Sequence, residues 1–91
     1  MAPPITMYAT AWCPYCIQAE RLLRAKGIEP AVINKVRVDL EPALRQKMMQ
    51  LTGRRTVPQI YIGEHHVGGY DDLCALERSG RLDVLLAGEP R

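Results

Sequence analysis

Ile5-Thr6-Met7-Tyr8-Ala9-Thr10-Ala11-Trp12-Cys13-Pro14-Tyr15-Cys16 is the stretch that decides the fold. Its first five residues form a short apolar, β-favouring run that begins just after Pro3-Pro4, and they predict a strand. The segment that follows predicts a helix. Ile17 to Lys26 carries Ile17, Leu22, Leu23 and Ala25 among Gln, Glu and Arg, and Gly27 terminates it. Cys13-Pro14-Tyr15-Cys16 therefore sits where a strand hands over to a helix, with Pro14 suited to the first helical position and Cys13 to the N-cap.

Working outward, Ala31 to Leu40 reads as a second strand, with Val32, Val36 and Val38 interleaved by Asn34, Lys35 and Arg37. Glu41 to Leu51 reads as a second helix with Pro42 in its first turn. Its apolar stripe is Leu44, Met48 and Leu51, and Thr52-Gly53 ends it. Pro58 to Ile62 predicts a third strand, turning at Gly63-Glu64 into a fourth that contains Val67 and breaks at Gly68-Gly69. A third helix runs to about Arg78, capped by Asp71 or Asp72, and a last helical piece spans Leu82 to Ala87. The order β-α-β-α-β-β-α-α predicts an α/β fold with a four-stranded mixed sheet and helices packed on it. The prolines at the start and the Gly88-Glu89-Pro90-Arg91 tail are expected to fray.

Ninety-one residues suit a single domain, 1–91, and a hydrophobic fraction of 47% suits a globular one. With no Phe, the core has to be aliphatic with a few Tyr. The net charge of +2 is spread without a dense basic cluster, which argues against a nucleic-acid partner. No apolar run reaches the roughly 18 residues of a membrane span. Met1-Ala2-Pro3-Pro4 has neither the basic nor the apolar region of a secretory signal. Three cysteines, two of them three residues apart, suit reactive thiols in the cytoplasm better than a secreted disulfide scaffold.

The chemistry follows from the placement. An N-cap sulfur faces backbone N–H groups that lack intrahelical acceptors, and these and the helix dipole favour thiolate at Cys13. Thiolate is the species that attacks disulfides. Cys16, on the same helix face, is expected to be more buried and less ionised, which makes Cys13 the nucleophile and Cys16 the resolving thiol. The competing reading is half of a zinc site. It needs a second ligand pair from Cys74, His65 and His66, and adjacent histidines on a strand point to opposite faces.

With these residues in place, the sequence resembles the glutaredoxins, most closely the small bacterial dithiol members. Tyr8, Cys13-Pro14-Tyr15-Cys16, Thr56-Val57-Pro58-Gln59-Ile60 and Gly68-Gly69-Tyr70-Asp71-Asp72-Leu73 occur in family order at near-family spacing, over nearly the whole chain. The resemblance implies the thioredoxin fold, and glutathione as co-substrate, bound in a groove beside the active cysteine. By position, Val57 would pair its backbone with the cysteinyl part of glutathione, between Thr56 and a cis Pro58. Gly69, Tyr70, Asp71 and Asp72 would hold the γ-glutamyl end at a helix N-terminus, Tyr15 would border the groove, and Arg45 would take the glycyl carboxylate.

Two departures from the family pattern bear on the nucleophile. Many relatives carry Lys where this chain has Thr10, and Trp12 precedes the motif as in thioredoxins. The segment from Glu29 to Asp39 also looks longer than in the nearest relatives.

The expected activity is glutathione-dependent reduction of protein disulfides and glutathione mixed disulfides, with no metal and as a monomer. The alternatives are a redoxin fed by thioredoxin reductase, suggested by Trp12, and an iron–sulfur or zinc carrier, which Pro14 disfavours. Cys74 reads as a small core residue or else a regulatory thiol. Met48 and Met49 read as core and rim of the second helix, and His65 and His66 as hairpin surface and strand residues.

Overall fold

The computed structural model describes residues 3–88, so of the ends expected to fray 89–91 lie outside the described residues. The Pro4 carbonyl accepts the Gly63 N–H at 2.7 Å, and the Gly88 N–H donates to the Leu85 carbonyl at 3.1 Å. Strand β1 spans Ile5–Ala9 and helix α1 Pro14–Ala25. A 3-10 turn, Pro30–Val32, leads into β2, Ile33–Arg37. Helix α2 is Pro42–Thr52, β3 is Gln59–Ile62, β4 is His65–Gly68, α3 is Tyr70–Ser79 and α4 is Arg81–Leu86. The sheet order is β2-β1-β3-β4, with β2 parallel and β3 antiparallel to β1, and β4 antiparallel to β3. This is the thioredoxin fold expected above.

The period-two alternation of the strands divides the core in two. Ile5, Met7 and Ala9 of β1 and Ile60 and Ile62 of β3 face α1, α3 and α4, where they meet Ala19, Leu23, Leu73 and Leu82. Tyr8, with Val38 and the fully buried Met48 of α2, forms a smaller cluster on the opposite face, and Tyr61 and Met49 pack against it.

Several boundaries differ from expectation for local reasons. The second strand is five residues rather than ten, because Pro30 fixes a 3-10 turn and the chain turns again after Arg37. That turn lies in the segment that reads as longer than in relatives. Pro58 precedes β3 rather than opening it. Ile17 and Leu51, expected on buried stripes, are about half exposed, and Cys16 and Ala19 supply the buried face of α1 instead.

Candidate active site

The handover from β1 to α1 builds the reactive end. Cys13 is the N-cap of α1, in extended conformation, and Pro14 occupies the first turn, where a missing N–H costs no hydrogen bond. The Cys16 N–H donates to Cys13 Sγ at 3.1 Å, so the sulfur takes one of the orphan donors of the helix end. Cys13 and Cys16 are joined as a disulfide, with Cα atoms 5.1 Å apart. Both residues are buried, at 5% and 7% exposure, so residue burial does not separate Cys16 from Cys13 as expected of its sulfur. Their inequality lies in contacts. Cys13 Sγ receives the helix N–H and lies 3.9 Å from the Val57 carbonyl oxygen, whereas Cys16 continues into the helix.

The loop ahead of Cys13 is braced from β2. Arg37 grips Asp39 with two hydrogen bonds of 2.7 and 2.8 Å, and Asp39 Oδ2 accepts the Ala11 N–H at 3.1 Å. The Arg37 hydrogen bond, aided by the Ala11 N–H, holds the Asp39 carboxyl well below the usual carboxylate range. Thr10 turns its hydroxyl to the Trp12 carbonyl, and the Trp12 ring is 80% exposed.

Beside the disulfide runs a groove of about 350 Å³. Thr56, Val57 and Pro58 form one wall, with a cis peptide bond between Val57 and Pro58. Gly69, Tyr70, Asp71 and Asp72 form the other, at the start of α3, and Tyr15 stacks on Tyr70 with ring centroids 6.3 Å apart. The Cys74 thiol beside the Tyr70 hydroxyl and, secondarily, burial raise that hydroxyl's pKa, and Cys74 itself is free and half-buried rather than enclosed in the core.

The cap of α3 differs from expectation. Gly69, not Asp71 or Asp72, is the N-cap, and Asp72 at the third helical position returns its carboxylate to the Gly69 N–H at 2.9 Å. The same carboxylate oxygen accepts from Arg54 Nη1 at 2.9 Å. The Gly69 N–H first, and Arg54 second, lower the Asp72 pKa. Gly68, at φ +110°, keeps this corner open, since a Cβ there would strike the Asp72 carboxylate and stand 3.0 Å from Arg54 Nη1.

Of the residues expected to contact glutathione, Tyr15, Thr56, Val57, Pro58, Gly69, Tyr70, Asp71 and Asp72 line the groove and Arg45 does not. Its Nη1 donates to the Arg55 carbonyl at 3.1 Å, while Arg54 takes a place in the wall. Gln59, named above only as part of a motif, also has a structural role. It is fully buried on the α2 face of the sheet, donating from Nε2 to the Thr56 carbonyl at 3.0 Å and accepting from His66 Nε2 at 2.8 Å. The β-favouring pattern of Gln59-Ile60-Tyr61-Ile62 against His65-His66-Val67 was the available signal, because it puts Gln59 and His66 on one face.

A cysteine pair that closes as a disulfide at one helix N-terminus, beside a groove bounded by the N-terminus of a second helix, is suited to thiol–disulfide exchange. The glutaredoxin family model matches residues 5–67. A glutaredoxin of Pseudomonas aeruginosa is 53% identical over 85 residues, covering 93% of this chain and 98% of that one. Glutaredoxin 3 of Escherichia coli is 43% identical over 82 residues, covering 90% and 95%. A solved buckwheat glutaredoxin–glutathione complex superposes with a TM-score of 0.84 at 29% identity, covering 94% of this chain and 78% of that one. The chain belongs to the glutaredoxin family of oxidoreductases, and Cys13 and Cys16 are its dithiol motif.

Proposed function

We propose that this protein is a glutathione-dependent oxidoreductase that reduces protein disulfides and glutathione mixed disulfides. In the monothiol branch, the Cys13 thiolate attacks the glutathione sulfur of a mixed disulfide. It takes up the glutathionyl group and releases the protein thiol, and a second glutathione then leaves with that group as glutathione disulfide. In the dithiol branch, Cys13 opens a protein disulfide, Cys16 resolves the mixed disulfide, and glutathione resets the pair.

The observation that carries this reading is the position of the groove, whose Val57 carbonyl stands 3.9 Å from Cys13 Sγ. A cysteinyl residue paired with the Val57 backbone would present its sulfur to Cys13. The first turn of α3, with unpaired N–H groups and the Asp71 and Asp72 carboxylates, suits an α-amino-acid end that carries both charges. Thr56, Pro58, Gly69, Tyr70 and Tyr15 shape the channel between. The glycyl carboxylate is assigned to Arg45, beyond the groove lining, while Arg54 stays paired with Asp72 at the α-amino-acid end. The buckwheat relative, solved as a glutathione complex, supports glutathione as the ligand.

The proposal includes a monomer working in the cytoplasm, where glutathione keeps such thiols reducible, with no resident metal and no nucleic-acid or membrane partner. Among the described residues, no helix is long and apolar enough to cross a membrane. The second reading, reduction by a thioredoxin reductase, is favoured by the exposed Trp12 beside Cys13. Turnover with glutathione and glutathione reductase, against turnover with thioredoxin reductase, separates the two. Turnover with thioredoxin reductase alone would overturn the proposal.

A further inference from the structure

A second cavity, of about 180 Å³, lies between β1, α1 and β2 and shares no lining residue with the groove. Cys13 and Cys16 form part of its wall, and Glu20, Lys35 and Arg37 supply its charged groups. Glu20 stands four residues after Cys16 on α1, so the two side chains leave the same helix face. From β2, Lys35 Nζ pairs with Glu20 Oε1 at 2.6 Å, and the Glu20 side chain is only 19% exposed. Ile17, Glu20 and Lys35 also border a shallow surface depression with Arg21 and Arg24. Glu20 therefore touches both the space under the sulfurs and the route to solvent.

The dithiol branch has a use for such a group. Cys16 is buried, and burial disfavours the thiolate that must attack. Resting on the dithiol reading of Cys13 and Cys16, we propose that Glu20, held in place by Lys35, is the proton acceptor for the Cys16 thiol. Cys13 first carries the substrate sulfur as a mixed disulfide. The Glu20 carboxylate takes the Cys16 proton through water, for which the cavity has room at about 30 Å³ per molecule. The Cys16 sulfur then bonds to the Cys13 sulfur, and the bond from Cys13 to the substrate sulfur breaks. The substrate leaves as a thiolate that takes a proton from solvent. Two electrons pass from the dithiol to the substrate disulfide, and Glu20 returns its proton to solvent through the surface depression.

The charges facing Glu20 are Lys35 and Arg37 from β2 and Arg21 and Arg24 from α1, and Asp39 is already engaged by Arg37. Among the described residues, no second carboxylate lines the cavity to take its place.

The test compares two rates in one preparation, reduction of a disulfide-bonded peptide and deglutathionylation of a glutathionylated peptide, in the parent, Glu20→Gln, Glu20→Asp and Cys16→Ser proteins. The ratio of the first rate to the second is expected to fall about tenfold or more in Glu20→Gln. Glu20→Asp should recover part of that loss, and the Glu20→Gln deficit should shrink as pH rises and hydroxide substitutes for the carboxylate. An unchanged ratio in Glu20→Gln, including one in which both rates fall together, overturns the proposal. If Cys16→Ser itself leaves disulfide reduction intact, it is the dithiol reading that fails.

Discussion

His66 Nε2 donates to Gln59 Oε1 at 2.8 Å across β3 and β4, and Gln59 Nε2 donates onward to the Thr56 carbonyl at 3.0 Å. Because the amide group of Gln59 is committed to Thr56, its oxygen is left for His66, which must then carry a proton on Nε2. A polar side chain with no solvent exposure is thereby satisfied, and the Thr56-Val57-Pro58 wall is fastened to the sheet.

Gln59→Leu removes both bonds while nearly keeping the volume. The Thr56 carbonyl and the His66 N–H lose their partners, at about 1–3 kcal/mol. The midpoint of thermal unfolding should fall by about 4 °C or more in a domain of this size. KM for a glutathionylated peptide should rise as the wall loosens, and an unchanged midpoint would contradict the account.

The same pair predicts a pH response. Burial first, and Arg54 second, lower the His66 pKa, against the opposing pull of Asp72. A histidine held neutral in the fold contributes its full stability above the unfolded-state value of about 6.5. As pH falls below that value the unfolded chain takes up the proton first, so stability declines down to the lower folded pKa. Urea unfolding between about pH 7.5 and 5 should record this loss, and His66→Gln should flatten it.

Gly68 holds the corner of the groove at φ +110°, where a Cβ would strike the Asp72 carboxylate. Gly68→Ala should cost about 1–3 kcal/mol in backbone strain. It should also weaken substrate binding by displacing Asp72 from Arg54. Adding Asp72→Ala should recover part of the stability lost to the clash but none of the binding, as measured by urea unfolding and KM.

Arg54 and Arg45 can be told apart by substitution. Arg54→Ala, which empties a place in the groove wall, should raise KM for a glutathionylated peptide by about two- to fivefold. Arg45→Ala should have the smaller effect, because Arg45 lies outside the groove lining and gives one of its N–H groups to the Arg55 carbonyl.

Much of this was legible in the chain because its elements are punctuated. Pro3-Pro4 precede β1, Pro14 opens α1, Gly27 follows it and Gly53 ends α2, so order and fold class followed from local chemistry. The strand expected over Ala31 to Leu40 was too long because interleaved valines mimic pairing, whereas backbone partners exist only for Ile33 to Arg37. The dithiol was legible from its place between β1 and α1, whereas both walls of the groove followed only from the resemblance to the glutaredoxins. Arg54, Asp39 and the Gln59–His66 pair were not legible, because their roles depend on which long side chain reaches across the fold. Arg45 and Arg54 lie nine residues apart, and only the path of the chain after α2 decides which of them lines the wall.

The most direct test of the central claim is turnover of a glutathionylated peptide by the parent, Cys13→Ser and Cys16→Ser proteins, with glutathione and glutathione reductase as the electron source. The account predicts that Cys13→Ser abolishes turnover and that Cys16→Ser retains it. Activity in Cys13→Ser, or its loss in a folded Cys16→Ser protein, would contradict it.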